Sequence, residues 1–296
     1  MSAPEVTVDE YETRDLPVQS TTPRSAGPEE MEPRARFVRD SAIVAYRNLL
    51  TILRVPTLLV TATIQPLMFV FLFAYIFGAS LGGDQYREFL LAGIFTQTVA
   101  FNAAFTTVGL AGDLQKGIID RMRTLPMSRL AVLMGRTLSD LVVNIVSLGV
   151  MSICGYIVGW RIHGSFGDAV IAFSIILLFA FAMSWVGALT GLVSPTVEVA
   201  QSAGLIWLFP LTFISSAFIS AETLPGPLRA IAEWNPITAV SAAGRKLFEN
   251  DSPPTFVPAT GWAAENCILY AIICSLVILA IAMPAALLQY RKVASH

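Results

Sequence analysis

Few residues in this 296-residue chain have the type and spacing that chemistry on a substrate requires. Nucleophilic or acid–base catalysis needs a base within reach of a nucleophile, or paired carboxylates, and a metal needs clustered His, Cys, Asp or Glu. None of these sets is assembled. The only two histidines, His163 and His296, fall in a short loop and at the C-terminal end. Of the three cysteines, Cys267 and Cys274 share a helical face without any accompanying motif and read, like Cys154, as packing residues. There is no G-x-x-x-x-G-K-[ST], so the chain cradles no nucleotide phosphate of its own. The expectation is a non-enzymatic chain with no catalytic residue, metal or cofactor.

Ionisable groups deep in apolar stretches would point to an ion-coupled carrier, and they are nearly absent. Asp140 and Glu198 lie close to the ends of such stretches. Asp140 follows Arg136 by four residues, the spacing of a helical ion pair. Gln65, Gln97, Asn102, Asn144 and Gln201 carry mid-stretch polarity without charge, suited either to hydrogen bonds between helices or to contact with a cargo.

One segment is too polar for hydrocarbon and too patterned for a slack linker, the stretch from Gly112 to Asp140. Asp113, Lys116, Asp120 and Arg123 recur at three- or four-residue spacing, while Leu114, Ile118, Ile119 and Met122 supply an apolar side. That pattern predicts a short surface helix, interrupted by Gly117 and closed by Leu125-Pro126, after which Ser128 can cap the next helix. It has the character of a docking element. A plain basic loop is the alternative.

The elements that must position these residues follow from hydropathy. The chain is 55% apolar and 14% charged, with mean hydropathy +0.66, whereas a soluble surface needs roughly 25% charge. Windows of about 20 apolar residues match a hydrocarbon core of about 30 Å. Six such spans are expected, at 57–79, 89–110, 138–160, 169–193, 201–220 and 267–288. They lack the alternation of barrel strands, so the class is an all-α integral membrane protein whose six-span transmembrane domain covers 55–290. Ahead of them, 37–54 is amphipathic, ends at Val55-Pro56, and should lie along the membrane surface as an interfacial helix among lipids.

Residues 1–36 carry five prolines, eight acids and little apolar bulk, the composition of a disordered tail. They lack the basic start and apolar core of a secretory signal, so the tail is expected in the cytoplasm. Twelve Lys and Arg fall on one side of the six spans and five, Arg87, Arg161, Arg229, Arg245 and Lys246, on the other. Both termini, including 291–296, are then cytoplasmic. A formal net charge of −2, with basic residues confined to span ends, argues against nucleic-acid binding.

The polar stretch reads Asp113-x-x-x-Gly117-x-x-Asp120-Arg121-x-Arg123-x-Leu125-Pro126-x-Ser128-Arg129, followed by Gly135-Arg136 and Asp140. A second pattern, between the fifth and sixth spans, holds Leu224-Pro225, Leu228, Ile231-Ala232, Trp234-Asn235-Pro236 and Arg245. In these residues, over roughly 37–290, the chain resembles the type-2 class of ATP-binding-cassette exporter permeases, and within it the daunorubicin-resistance-type drug permeases of actinobacteria. Asp113 and Gln115 stand where the wider class often has glutamates.

The resemblance implies a multi-pass inner-membrane permease for drug export and antibiotic resistance. It implies that such a permease works with a second copy or a sister permease and with a cytoplasmic ATPase subunit that holds ATP and Mg²⁺. It implies that Asp113, Leu114, Lys116, Gly117, Asp120, Arg121 and Arg123 form a coupling helix against that subunit. It further implies that Pro225, Trp234, Asn235 and Pro236 belong to an outer re-entrant segment, where Trp234 and Phe248, as aromatics, are expected to anchor at the interface. A translocation path between the second and fifth spans would be lined by Phe95, Phe101, Asn102, Phe105, Gln201, Trp207, Phe209, Phe213 and Phe218. A lipid or polysaccharide exporter of the same class, or a non-transporting assembly or sensor subunit, are the alternatives.

Overall fold

In the computed structural model, the described residues are 33–54, 56–77, 83–118, 129–220, 224–250, 252–254, 256–257 and 260–293. They form ten helices, α1 Pro33–Arg54, α2 Pro56–Phe71, α3 Asp84–Gln115, α4 Arg129–Val158, α5 Phe166–Val193, α6 Val197–Phe213, α7 Gly226–Glu233, α8 Pro236–Phe248, α9 Trp262–Glu265 and α10 Cys267–Val293. α2 continues into a wider, π-type helical turn at Leu72–Phe77. There is no strand among the described residues.

Four helices, α3, α4, α5 and α10, are long and apolar enough to cross a bilayer. Ile64–Ile76 and α6 are shorter apolar helices. The expected fifth span at 201–220 holds its helix only to Phe213, after which the chain bends through Ser220. Pro210 lies inside the last turn of α6, where its ring removes one N–H from the ladder and favours that early end.

α3 and α5 stand at the centre, packed on each other, with α10 against α5 and α6 against α3. Their contact is a small-residue seam. Gly187 and Gly191 of α5, one turn apart, meet the Ala103 and Thr107 carbonyls of α3, so a Cβ at Gly187 would sit on the Ala103 carbonyl. Thr107 Oγ1 donates to the Gly187 carbonyl at 3.0 Å across the same seam. Without a hydrophobic drive between helices in lipid, such close backbone approach is what holds a pair together.

The amphipathic helix begins four residues earlier than the pattern suggested, at Pro33, and packs along the start of α4. A Cβ at Gly135 would crowd Val44 and the Ser41 carbonyl, and Ser139 Oγ donates to the Ala45 carbonyl at 3.2 Å. The start of α4 is thus gripped on one face by α1 and on another by α3. The tail expected at 1–36 lies outside the described residues up to 32.

Candidate functional site

At the Gln115 end of α3, three charged side chains share one half-buried site. Arg136 Nη1 meets Asp113 Oδ2 at 3.4 Å, and its Nε meets Asp140 Oδ1 at 3.6 Å. The helical pair expected from spacing is therefore present, and Asp113 from the neighbouring helix joins it. Gly109 of α3 makes the room, because a Cβ there would fall on the Arg136 guanidinium.

The network continues inward. Thr106 Oγ1 donates to Asp140 Oδ2 at 2.8 Å, Asn144 Nδ2 to the Asp140 carbonyl at 2.9 Å, and Asn102 Nδ2 to Asn144 Oδ1 at 2.8 Å. Six polar side chains from α3 and α4 thereby connect the helix end to mid-span. Asn102, expected on a path, spends its amide on this interhelical contact and is buried.

Asp113 and Leu114 occupy the last turn of α3 and are not part of a separate surface helix. Lys116 N–H donates back to the Gly112 carbonyl, and Gly117, at φ 62°, ends the helix in the left-handed region that glycine adopts without a Cβ penalty. Asp120, Arg121, Arg123 and Ser128 lie outside the described residues.

The aromatic residues divide into two groups. Phe95 is fully buried, with ring contacts to Trp160, Phe173 and Phe248, and so faces no path within this chain. Phe101 and Phe209 meet edge to face at 5.6 Å, Phe209 stacks on Phe213 at 5.8 Å, and Phe213 approaches Phe218 at 6.1 Å. Phe218 then stacks on Phe73 at 4.8 Å, and Phe73 on Phe69 at 5.8 Å. The result is a continuous ladder of rings across α3, α6 and the end of α2, with Phe105, Phe209 and Phe213 exposed. Sequence reasoning missed Phe69 and Phe73. Their four-residue spacing, from α2 into the turn that continues it, was the available sign. Gln201 is exposed one turn into α6, and Trp207 is half-buried against the core. Between α2 and α3, Gln65, Gln97 and Phe101 border a small crevice of 20 Å³.

At the other end of α3, the Pro-rich stretch organises the bent chain after α6. Asn235 caps α8 by accepting from the Ile237 N–H at 2.8 Å, while its Nδ2 donates to the Leu211 and Ile214 carbonyls at 2.7 and 2.6 Å. Arg245 donates to the carbonyls of Ser216, Ala217 and Phe89. These side chains satisfy backbone groups that the broken helix leaves unpaired, the condition for irregular chain inside an apolar bundle. A Cβ at Gly93 would strike the Ala217 carbonyl, so the bent chain lies directly on α3. Pro225 precedes α7, Pro236 opens α8, and Trp234 is exposed between them with its carbonyl accepting from Tyr270 Oη at 2.8 Å.

The comparisons agree on one family. A profile described as ABC-2 type transporter matches residues 41–248, most of the chain. The chain is 33% identical over 240 residues to the daunorubicin resistance ABC transporter permease protein DrrB1 of Streptomyces coeruleorubidus, covering 78% of this chain and 84% of that one. It is 22% identical over 222 residues to the putative transport permease ycf38 of Cyanophora paradoxa, covering 73% of this chain and 76% of that one.

Proposed function

The chain belongs to the ABC-2 type transporter family, and we propose that it is the permease subunit of an exporter that moves an amphiphilic, drug-like or lipid-like substrate out across the cytoplasmic membrane. Six spans cross the membrane, α1 lies at its inner face, and both termini are cytoplasmic. A separate ATPase chain binds ATP and Mg²⁺ and docks on the 113–123 segment, including Asp120, Arg121 and Arg123. A second permease copy, or a sister permease, completes the conduit, with the ring ladder from Phe101 to Phe213 as its wall. Phe95 and Asn102 fall outside this proposal, because their side chains are committed to packing and to Asn144.

The observation that carries the reading is the Asp113–Arg136–Asp140–Thr106 network. It fastens α3 to α4 on both sides of the proposed docking segment, so a push on that segment moves the two helices as one body. A slack connection would dissipate the same push.

Co-purification with an ABC ATPase and hydrolysis stimulated by cargo test the whole reading. Gly117→Pro attacks the geometry of the segment, and Asp120→Arg its charge complementarity. Each is expected to weaken ATPase association or stimulated hydrolysis by about tenfold, equivalent to about 1.4 kcal/mol. Membrane abundance should stay at the wild-type level. Full transport and stimulation by the double variant would remove this segment as the coupling site.

A further inference from the structure

Arg245 is a buried cation whose charge has no counterpart among the described residues. It is 7% exposed, and its Nε and Nη2 donate to the Phe89, Ser216 and Ala217 carbonyls at 2.8–2.9 Å. Its guanidinium also lies 3.5 Å from the centroid of the Phe89 ring. All of these partners are neutral. Among the described residues no carboxylate comes within ion-pair distance, and Nη1, which carries two N–H donors, has no acceptor. A buried cation compensated only by carbonyl dipoles and a ring retains much of its desolvation cost, and an anion would remove it.

The next residue, Lys246, is exposed, and no described side chain pairs with it. Both cations line one cavity of 270 Å³, bordered by α8, by Ser252, Phe256, Val257 and Thr260, and by the start of α10. At about 30 Å³ per water, that is room for roughly nine waters, enough for a phosphate-sized group and the first carbons of a chain. The described carboxylate in its lining, Glu233, is held by Arg229 at 2.8 Å. Ser216 and Thr238 add hydroxyls to the lining, and Trp234, Trp262 and Phe256 add apolar surface. Trp234 and Trp262 are 59% and 50% exposed, at the rim.

We propose that this cavity binds the acidic head group of an amphiphile, with Arg245 and Lys246 as its counter-charges and Trp234, Trp262 and Phe256 against its apolar part. The lining combines two cations and hydroxyl groups with aromatic rings, so neither a simple ion nor a plain hydrocarbon satisfies both. The binding is an equilibrium property of this chain and holds whether or not the chain exports anything. Its failure would leave the permease reading untouched, and the reverse is also true.

The test titrates the full chain, in nanodiscs of phosphatidylcholine, with dodecyl phosphate. Dodecyl maltoside and dodecyltrimethylammonium serve as uncharged and cationic controls. Tryptophan fluorescence is read against a Trp234→Phe/Trp262→Phe variant, which should lose the signal. A saturable response to dodecyl phosphate alone is expected, weakened about tenfold in Lys246→Gln and further in Lys246→Glu. The Lys246 side chain is exposed and makes no described hydrogen bond, so these variants carry the test where replacing Arg245 would also release the Ser216 and Ala217 carbonyls. An equal response to the maltoside, or an unchanged affinity in Lys246→Glu, overturns the proposal. So does the absence of any saturable response, the outcome expected if Asp251, which lies outside the described residues, supplies the counter-charge. Repeating the titration in phosphatidylglycerol nanodiscs separates two sources of the same chemistry. A midpoint shifted upward identifies a resident anionic lipid, and an unshifted one identifies a free amphiphile.

Discussion

Arg136 serves two carboxylates, Asp113 and Asp140, and both have side chains at most one-quarter exposed. Arg136→Leu would leave two partly buried negative charges facing each other. Breaking a buried pair costs about 3–5 kcal/mol, and the partial exposure here places the effect at the low end, about 3 kcal/mol. The triple change Arg136→Leu/Asp113→Leu/Asp140→Leu removes all three charges and should recover most of that loss. Unfolding of the purified chain checks both, and equal destabilisation of the single and triple variants would show that packing and not charge matters at this site. The Arg136 and Asp140 pair was legible because both residues lie on one helix at a fixed spacing. Asp113, 23 residues away on α3, was not, since no local period links it to α4. Arg245 was legible as a basic residue on the far side of the spans and as part of the second pattern, but its buried role was not, for a simpler reason. Its partners are backbone carbonyls, one of them 156 residues distant, and a carbonyl acceptor has no residue type.

The helices themselves were legible, because about 20 apolar residues in a row leave the backbone few alternatives. Their ends were not. Hydropathy continues past Phe213 although Pro210 and the Asn235 and Arg245 donors let the chain bend, and it stops before Gln115 although α3 runs on as a polar helix. The placement of Phe95 was missed for a related reason. An aromatic on a long apolar helix has the same sequence signature whether it meets Trp160 and Phe248 or a path. At this scale the α3–α5 seam makes a sharp prediction. Gly187→Leu forces a branched side chain onto the Ala103 carbonyl and must move two central helices apart, whereas Gly149→Leu on α4 meets open space. The first should lower the yield of folded, protease-resistant chain severely and the second should leave it near wild type. Similar yields for the two would mean that the seam does not determine how the bundle assembles.

The whole molecule turns large apolar side chains outward along entire helices. Ile153, Tyr156 and Ile157 on α4, Ile206 on α6, and Ile281 and Leu288 on α10 are all more than half exposed. Water would penalise such faces and lipid would not, so the long helices cross a membrane and their two ends face different compartments. α3 sets the distance between those ends, since its 32 residues at 1.5 Å each reach about 48 Å, the full depth of a bilayer with its head groups. Gln85 stands at one end of it, and the 119–128 stretch follows the other. Ser252 belongs with Gln85, because it lines a groove together with Gln85 and Glu88. In the orientation proposed above, which follows the twelve-to-five distribution of Lys and Arg, the 119–128 stretch is cytoplasmic. In a background where Cys154, Cys267 and Cys274 are alanine, Gln85→Cys and Ser252→Cys should then react with an impermeant maleimide in intact cells. Ser128→Cys should react only after the membrane is opened. Gly83 and Gly261 would not serve for such labelling, because at φ of 64° and 101° a cysteine would strain the turn. Labelling of Ser128→Cys in intact cells at the rate of Gln85→Cys would invert the chain, put the Asp113–Arg136 network outside, and remove any route by which a cytoplasmic ATPase could act through it.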